Sequence, residues 1–326
     1  MYKKINNQLL PEGFKVLLPE EAQKEEVLSR KILDILISND YSLVKTPMIE
    51  YEYKSIDRDT MKIQSDSNEP FILLEPDTKK ILVIRPDITP QIAKLASTKL
   101  TGMKRPLRLM YAGEVLRNMK NLYQSDRQFK QIGAELIGED YNNGLIEIIE
   151  LANNIIKKLK IKNTIIDFSV PSLMRYLEKT IDFNKEEGKI IKEAIENKDA
   201  SLITKKKYNY IKNIIECSGA IQDAKTNFKK SKFPIKVRKI LEKFFISLQC
   251  LKQIKSKLSI TVDISEGNSF LSYQNLGFKI YNQDDSNVIA IGGDYVLDNK
   301  ELGVGITLII NNLSKAFEYK KRKRKF

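Results

Sequence analysis

A chain of 326 residues with 42% hydrophobic and 30% charged content is long enough to close one large core or two packed units. It has no histidine and no tryptophan, which excludes imidazole acid/base chemistry, Ser-His and Cys-His nucleophile pairs and imidazole metal sites. The formal charge is +14; the lysines run along the whole chain and read as compositional bias, with only Lys320-Lys321-Arg322-Lys323-Arg324-Lys325 concentrated, as a basic tail. No stretch approaches the roughly 20 apolar residues a bilayer requires. The first residues lack the apolar run of a signal peptide, and Cys217 and Cys250 show no metal-ligand spacing. The expectation is a cytoplasmic protein with no cofactor, no metal and no membrane partner.

In chain order, residues 20–39 predict an amphipathic helix, with acids early and Leu28, Ile32, Ile35 and Leu36 at helical spacing. Residues 41–44 suit a strand, and Thr46-Pro47 enforces an extended approach to residues 48–50. Residues 71–74 and 81–84 flank Pro76-Asp77-Thr78-Lys79 as a hairpin. Thr89-Pro90 opens a helix to about residue 100. Residues 107–115 and 129–137 form strands joined by a polar link, followed by a helix over 144–159 and a strand over 164–168. Residues 172–256 are helical and Lys-rich, after which strands return at 258–263, 277–281 and 288–291. Residues 304–313 begin as a strand and end as a helix. Turns too short for parallel crossovers imply a mainly antiparallel sheet, so the class is α+β with a helical insertion.

Three segments carry chemistry. In Ile84-Arg85-Pro86-Asp87-Ile88-Thr89-Pro90, Asp87 and Thr89 stand at a strand end and helix start. They either cap the helix or present a carboxylate and a hydroxyl to a ligand ammonium. In Gln128-Phe129-Lys130-Gln131-Ile132-Gly133-Ala134-Glu135-Leu136, the strand period puts Gln131, Gly133 and Glu135 on one face. That face is either solvated or leaves room for a ligand over Gly133. Tyr111-Ala112-Gly113-Glu114-Val115-Leu116-Arg117 lies just upstream, an ordinary strand end when read alone.

Together, with Leu10-Pro11-Glu12-Gly13 and Thr46-Pro47-Met48-Ile49-Glu50, these segments resemble histidyl-tRNA synthetase, a class II aminoacyl-tRNA synthetase. The resemblance covers most of residues 8–170 and more weakly 257–315, and matches the helical middle by position only. It implies a class II synthetase-like fold, divided into a first part of the core (1–171), a helical insertion (172–256), a last part of the core (257–318) and the basic tail (319–326). It also implies that Thr46-Pro47-Met48-Ile49-Glu50 belongs to a dimer interface. No room remains for the family's C-terminal anticodon-binding domain.

The resemblance departs where the family clamps ATP. Set against the family's Phe/Tyr-Arg-x-Glu pattern, Tyr111-Ala112-Gly113-Glu114 puts Ala112 in the place of the arginine, and Asn311-Asn312-Leu313 replaces Glu-Arg-Leu. Losing one oriented donor of this kind costs about 10²–10³ in rate. Asn268-Ser269-Phe270-Leu271-Ser272-Tyr273 keeps Tyr273 but no arginine, and Gly-Gly-Arg-Tyr becomes Gly292-Gly293-Asp294-Tyr295. Asp87, Thr89, Gln131, Glu135 and Tyr273 match amino-acid-contacting positions and are the candidate histidine-binding residues, with no catalytic residue expected. This selective loss is similar to the regulatory subunits of ATP phosphoribosyltransferase. Those subunits join a short catalytic chain in histidine biosynthesis, are needed for its activity, and mediate feedback inhibition by L-histidine. The implied partners are that catalytic subunit, L-histidine and a second copy of the chain in a hetero-oligomer. Two alternatives stay open: a divergent aminoacyl-adenylate-forming enzyme, and a tRNA- or RNA-binding protein using the positive charge.

Overall fold

The structure is a computed structural model and describes residues 10–52, 70–118, 126–251, 254, 259–266 and 273–319. The basic run from Lys320 and the segment 268–272 lie outside the described residues. The first half contains α1 (Pro19–Ile37), β1 (Ser42–Leu43), β2 (Ile49–Tyr51), β3 (Phe71–Leu74), β4 (Ile81–Ile84), α2 (Thr89–Thr98), β5 (Leu107–Leu116), β6 (Gln128–Ile137), α3 (Tyr141–Leu159) and β7 (Thr164–Ser169). Helices α4 (Pro171–Thr180), α5 (Glu186–Glu196), α6 (Asn209–Glu216), α7 (Ile221–Lys230) and α8 (Ile235–Cys250) follow, with β8 (Gly219–Ala220) between α6 and α7. The chain returns through β9 (Ser259–Asp263), β10 (Gly277–Asn282), β11 (Val288–Val296) and β12 (Leu302–Ile309) to α9 (Ile310–Ala316).

Nine strands form one sheet in the order β1-β5-β6-β12-β11-β10-β7-β9-β8, and β2-β4-β3 form a second. Antiparallel pairing dominates, as the short connections predict; only β1 with β5 and β7 with β9 run parallel. The second pair becomes possible because the helical stretch supplies the long crossover that a parallel pair needs. The expected strand at 288–291 runs on to Val296 through Gly292-Gly293, which reads as a turn in sequence. Aromatic rings explain the glycines: a Cβ on Gly292 would lie 2.2 Å from the Phe278 ring, and one on Gly293 2.7 Å from that of Tyr273.

Period-two alternation then sorts the main sheet into two faces. Ile132, Ala134 and Leu136 of β6, with Met110 of β5, join the large core that also holds Leu28, Ile32, Leu36, Ile148 and Ile155. The alternate residues Leu109, Tyr111, Val115, Phe129 and Ile137 form a smaller core with Ile88, Ile92 and Ala96 of α2. Local signals set the helix ends. Asp140 accepts from the backbone N–H groups of Asn142 at 3.0 Å and Asn143 at 3.4 Å, capping α3. Asp140→Ala is expected to cost about 1 kcal/mol, read as a lower urea midpoint with unchanged slope. Among the described residues no helix is long and apolar enough to cross a membrane.

Candidate functional site

The site lies on the sheet face that α2 covers. Strand pairing sets Gly133 of β6 between Tyr111 of β5 and Thr307 of β12, and Glu135 beside Gly305 of β12, which in turn pairs with Gly293 of β11. The absent side chains make the room. A Cβ on Gly133 would lie 2.2 Å from the Tyr111 ring, and one on Gly305 1.9 Å from Glu135 Oε2.

Glu135 is 1% exposed. Its Oε1 accepts from Thr89 Oγ1 at 2.8 Å and its Oε2 from the Tyr295 hydroxyl at 2.7 Å. The Tyr111 hydroxyl bonds Thr307 Oγ1 at 2.7 Å and lies 3.0 Å from Thr89 Oγ1, which extends the network across four strands and a helix. Burial pushes the Glu135 carboxyl up to about 8, against the two hydrogen bonds that favour its charged form. Burial also raises the Tyr111 and Tyr295 phenols well above their usual range.

Asp87 shows the helix-capping side of its two readings. Its Oδ1 accepts the Thr89 backbone N–H at 3.1 Å, a cap for α2, while its Oδ2 lies 3.8 Å from Arg117 Nη2. Thr89 caps nothing; its hydroxyl points to Glu135. Gln131 is 2% exposed on the Glu135 face, and among the described residues its Oε1 finds no hydrogen-bond partner. Tyr273 stacks over the Gly293 backbone, and Asp87, Glu135 and Arg117 all act electrostatically on its buried phenol. Arg175 donates to the backbone carbonyls of Tyr273 and Gln274, and the Asp294 carboxylate accepts from the N–H groups of Asn275 and Leu276 at 2.9 and 2.7 Å. Asp294 thereby organises the turn that presents Tyr273, and does not itself enter the network around Glu135.

Sequence reasoning missed Tyr111, Tyr295, Thr307 and Arg117. Tyr111, Tyr295 and Arg117 lay within quoted motifs, and only strand pairing shows that the two tyrosines join the network around Glu135. Arg117 follows β5, with Nε donating to Pro86 O at 3.1 Å and its guanidinium 5.0 Å from the Phe129 ring centroid. Ala112 packs against the large core, on the face away from Glu135, so an arginine there would point away from the site. Arg117, five residues on and just past the strand, is the arginine that reaches Asp87. The Asn312 reading has a structural counterpart: Asn312 is 4% exposed and its amide donates to Val288 O at 2.8 Å.

Farther along the sheet, carboxylates of Asp167, Asp263 and Glu266 gather closely enough to suggest a metal. Lys279, fully buried, pairs with Glu266, and Lys198 pairs with Asp263. These two ammonium groups offset two of the three carboxylates.

Several curated relatives of this chain are described as ATP phosphoribosyltransferase regulatory subunits. The chain is 26% identical over 316 residues to the ATP phosphoribosyltransferase regulatory subunit of Paramagnetospirillum magneticum, covering 96% of this chain and 83% of the relative. With that of Thermoanaerobacter pseudethanolicus it shares 30% identity over 194 residues, or 60% of this chain and 49% of the relative. Among solved structures, an ATP phosphoribosyltransferase regulatory subunit/histidyl-tRNA synthetase from Bacillus halodurans superposes with a TM-score of 0.76 at 20% identity, over 98% of this chain and 85% of the other. The ATP phosphoribosyl transferase (HisG:HisZ) complex from Thermotoga maritima gives 0.62 at 18% identity, over 88% and 97%. These likenesses show the class II synthetase-like fold. The model of the histidyl-tRNA synthetase family matches residues 13–313, nearly the whole described chain, and the protein belongs to that family.

Proposed function

We propose that this chain is a non-catalytic regulatory subunit of ATP phosphoribosyltransferase, required by a short catalytic subunit and responsible for its inhibition by L-histidine. The reading places it in the cytoplasm, where the pathway's substrates are. The observation that carries it is the buried polar network around Glu135, kept intact while Asn312 turns inward to Val288 where the family has an arginine. Residues that match amino-acid-contacting positions, beside a weakened phosphate clamp, suit sensing better than adenylate synthesis. The names of the relatives support the same conclusion.

In this reading Asp87 and the open Gln131 Oε1 accept from the ligand ammonium. Arg117 faces its carboxylate with a planar fork. Glu135, Tyr295 and Tyr273 meet the imidazole, and Thr89 holds Glu135 in place. The coupling to the partner is worth about 1–3 kcal/mol, as in other allosteric systems. The small sheet leaves Ile49 and Tyr51 exposed at 44 and 45% on one face and Ile72 and Leu74 at 61 and 63% on the other, apolar surface suited to a second copy of the chain.

Calorimetric titration of the purified chain with L-histidine tests the reading. Stoichiometric binding that the Asp87→Ala, Glu135→Ala double variant abolishes is expected. Binding that survives both substitutions would move the sensor elsewhere. An ATP–pyrophosphate exchange assay is expected to show no histidine-dependent activity; robust exchange would return the chain to the adenylate-forming enzymes.

A further inference from the structure

The positive charge is not spread evenly through the chain. Residues 172–256 hold 20 Lys and Arg against 10 Asp and Glu, whereas residues 1–171 and 257–319 together hold 30 against 32. A uniform lysine bias would have charged both. The excess sits on the helical segment between β7 and β9, and on the tail.

Helix α8 shows how that charge is displayed. Val237, Leu241, Phe244, Phe245 and Leu248 are buried, and Phe245 packs at 5.0 Å against Phe228 of α7. The opposite face carries Ile235 and Ile246, 79% and 64% exposed, eleven residues apart and so about 16 Å apart on one side of the helix. Lys236, Lys239 and Lys243 are exposed on the same side by helical spacing. Among the described residues none of these three meets a carboxylate within 4.0 Å; Lys236 instead lies over the Tyr176 ring at 5.4 Å. Arg238 fixes the turn into the helix, donating to Ser231 O at 2.8 Å and lying 5.3 and 5.8 Å from the rings of Phe228 and Phe233. The basic face is therefore presented by a braced element.

Two aligned isoleucines among lysines are poor contacts for phosphates, which call for cations and flat aromatic faces. They suit a protein surface that offers apolar pockets ringed by carboxylates. We infer that the outer face of α8 docks an acidic protein surface. Resting on the reading of this chain as a regulatory subunit, that surface belongs to the catalytic subunit. The lysines steer the encounter and the isoleucines anchor it.

The test measures association of the full-length chain with the short catalytic subunit by sedimentation at about 50 mM and about 500 mM salt. The Lys236→Glu, Lys239→Glu, Lys243→Glu variant is expected to bind about 30-fold more weakly at low salt, with a smaller difference at high salt. Ile235→Ser, Ile246→Ser is expected to weaken association at both. A control reversal of Lys157 and Lys158 on α3 is expected to leave it unchanged, and unaltered circular dichroism confirms that each variant is folded. Full association by both α8 variants would overturn the docking face and leave the subunit reading standing. No association by the unaltered chain would overturn both. Salt-sensitive binding of a labelled tRNA that the lysine variant loses, with subunit assembly intact, would replace the acidic protein with a nucleic acid.

Discussion

Glu135→Gln is expected to weaken L-histidine binding by about 10–100-fold, the worth of one charge-assisted hydrogen bond to a buried partner. It is also expected to flatten the pH dependence of stability. The wild-type carboxyl titrates at about 8 in the folded chain, because burial penalises its charge, against 4.5 for an unperturbed glutamate. A folded-state value raised in this way means that the native chain holds a proton which the unfolded chain releases between those values. The associated stability is fully present below about 4.5 and is lost as pH rises through about 8, with a slope that approaches about 1.4 kcal/mol per pH unit. Glutamine mimics the protonated acid in shape and cannot ionise. Melting curves from pH 5 to 8.5, without ligand, should therefore fall more steeply for the wild type than for the variant. Parallel curves would show that Glu135 does not titrate in this window.

Gly305→Ala should be costlier to the fold. The new Cβ would stand 1.9 Å from Glu135 Oε2 and 2.6 Å from its Cδ. The carboxyl must then leave Thr89 and Tyr295, which strands buried hydroxyls. Overpacking and unpaired groups together make a loss of about 3–5 kcal/mol the expected outcome. Adding Glu135→Ala removes the obstructing atoms, so the double variant should be more stable than the sum of the two single losses predicts. Strict additivity in urea melts would show that the two positions do not compete for the same space.

Physical pattern made part of this legible beforehand. Helical spacing of Leu28, Ile32, Ile35 and Leu36 marks α1, and all four are buried. The switch from strand to helix within 304–313 falls at Ile309–Ile310. Candidate residues were legible where they sit in a compact motif: Gln131 and Glu135 share a strand face by period alone. The partners of Glu135 were not legible. Thr89 is 46 residues away and Tyr295 160 away, and nothing in either local sequence states that they meet. Ala112 shows the same limit from the other side, since which face a strand residue occupies depends on what the sheet packs against.

By itself, then, the sequence determined the α+β class and the order of the elements, while family-like motifs marked Asp87, Thr89, Gln131, Glu135 and Tyr273 as candidates. Local propensity and short-range periodicity suffice for those, because each depends on neighbours only a few positions away. Only the tertiary structure decided that Tyr111, Tyr295 and Thr307 join Glu135, that Arg117 reaches Asp87 from just beyond β5, and that Gly305 must stay a glycine. Strand pairing brings these groups together across up to 196 residues of chain. Burial then gives Glu135 a proton affinity that its local sequence does not encode.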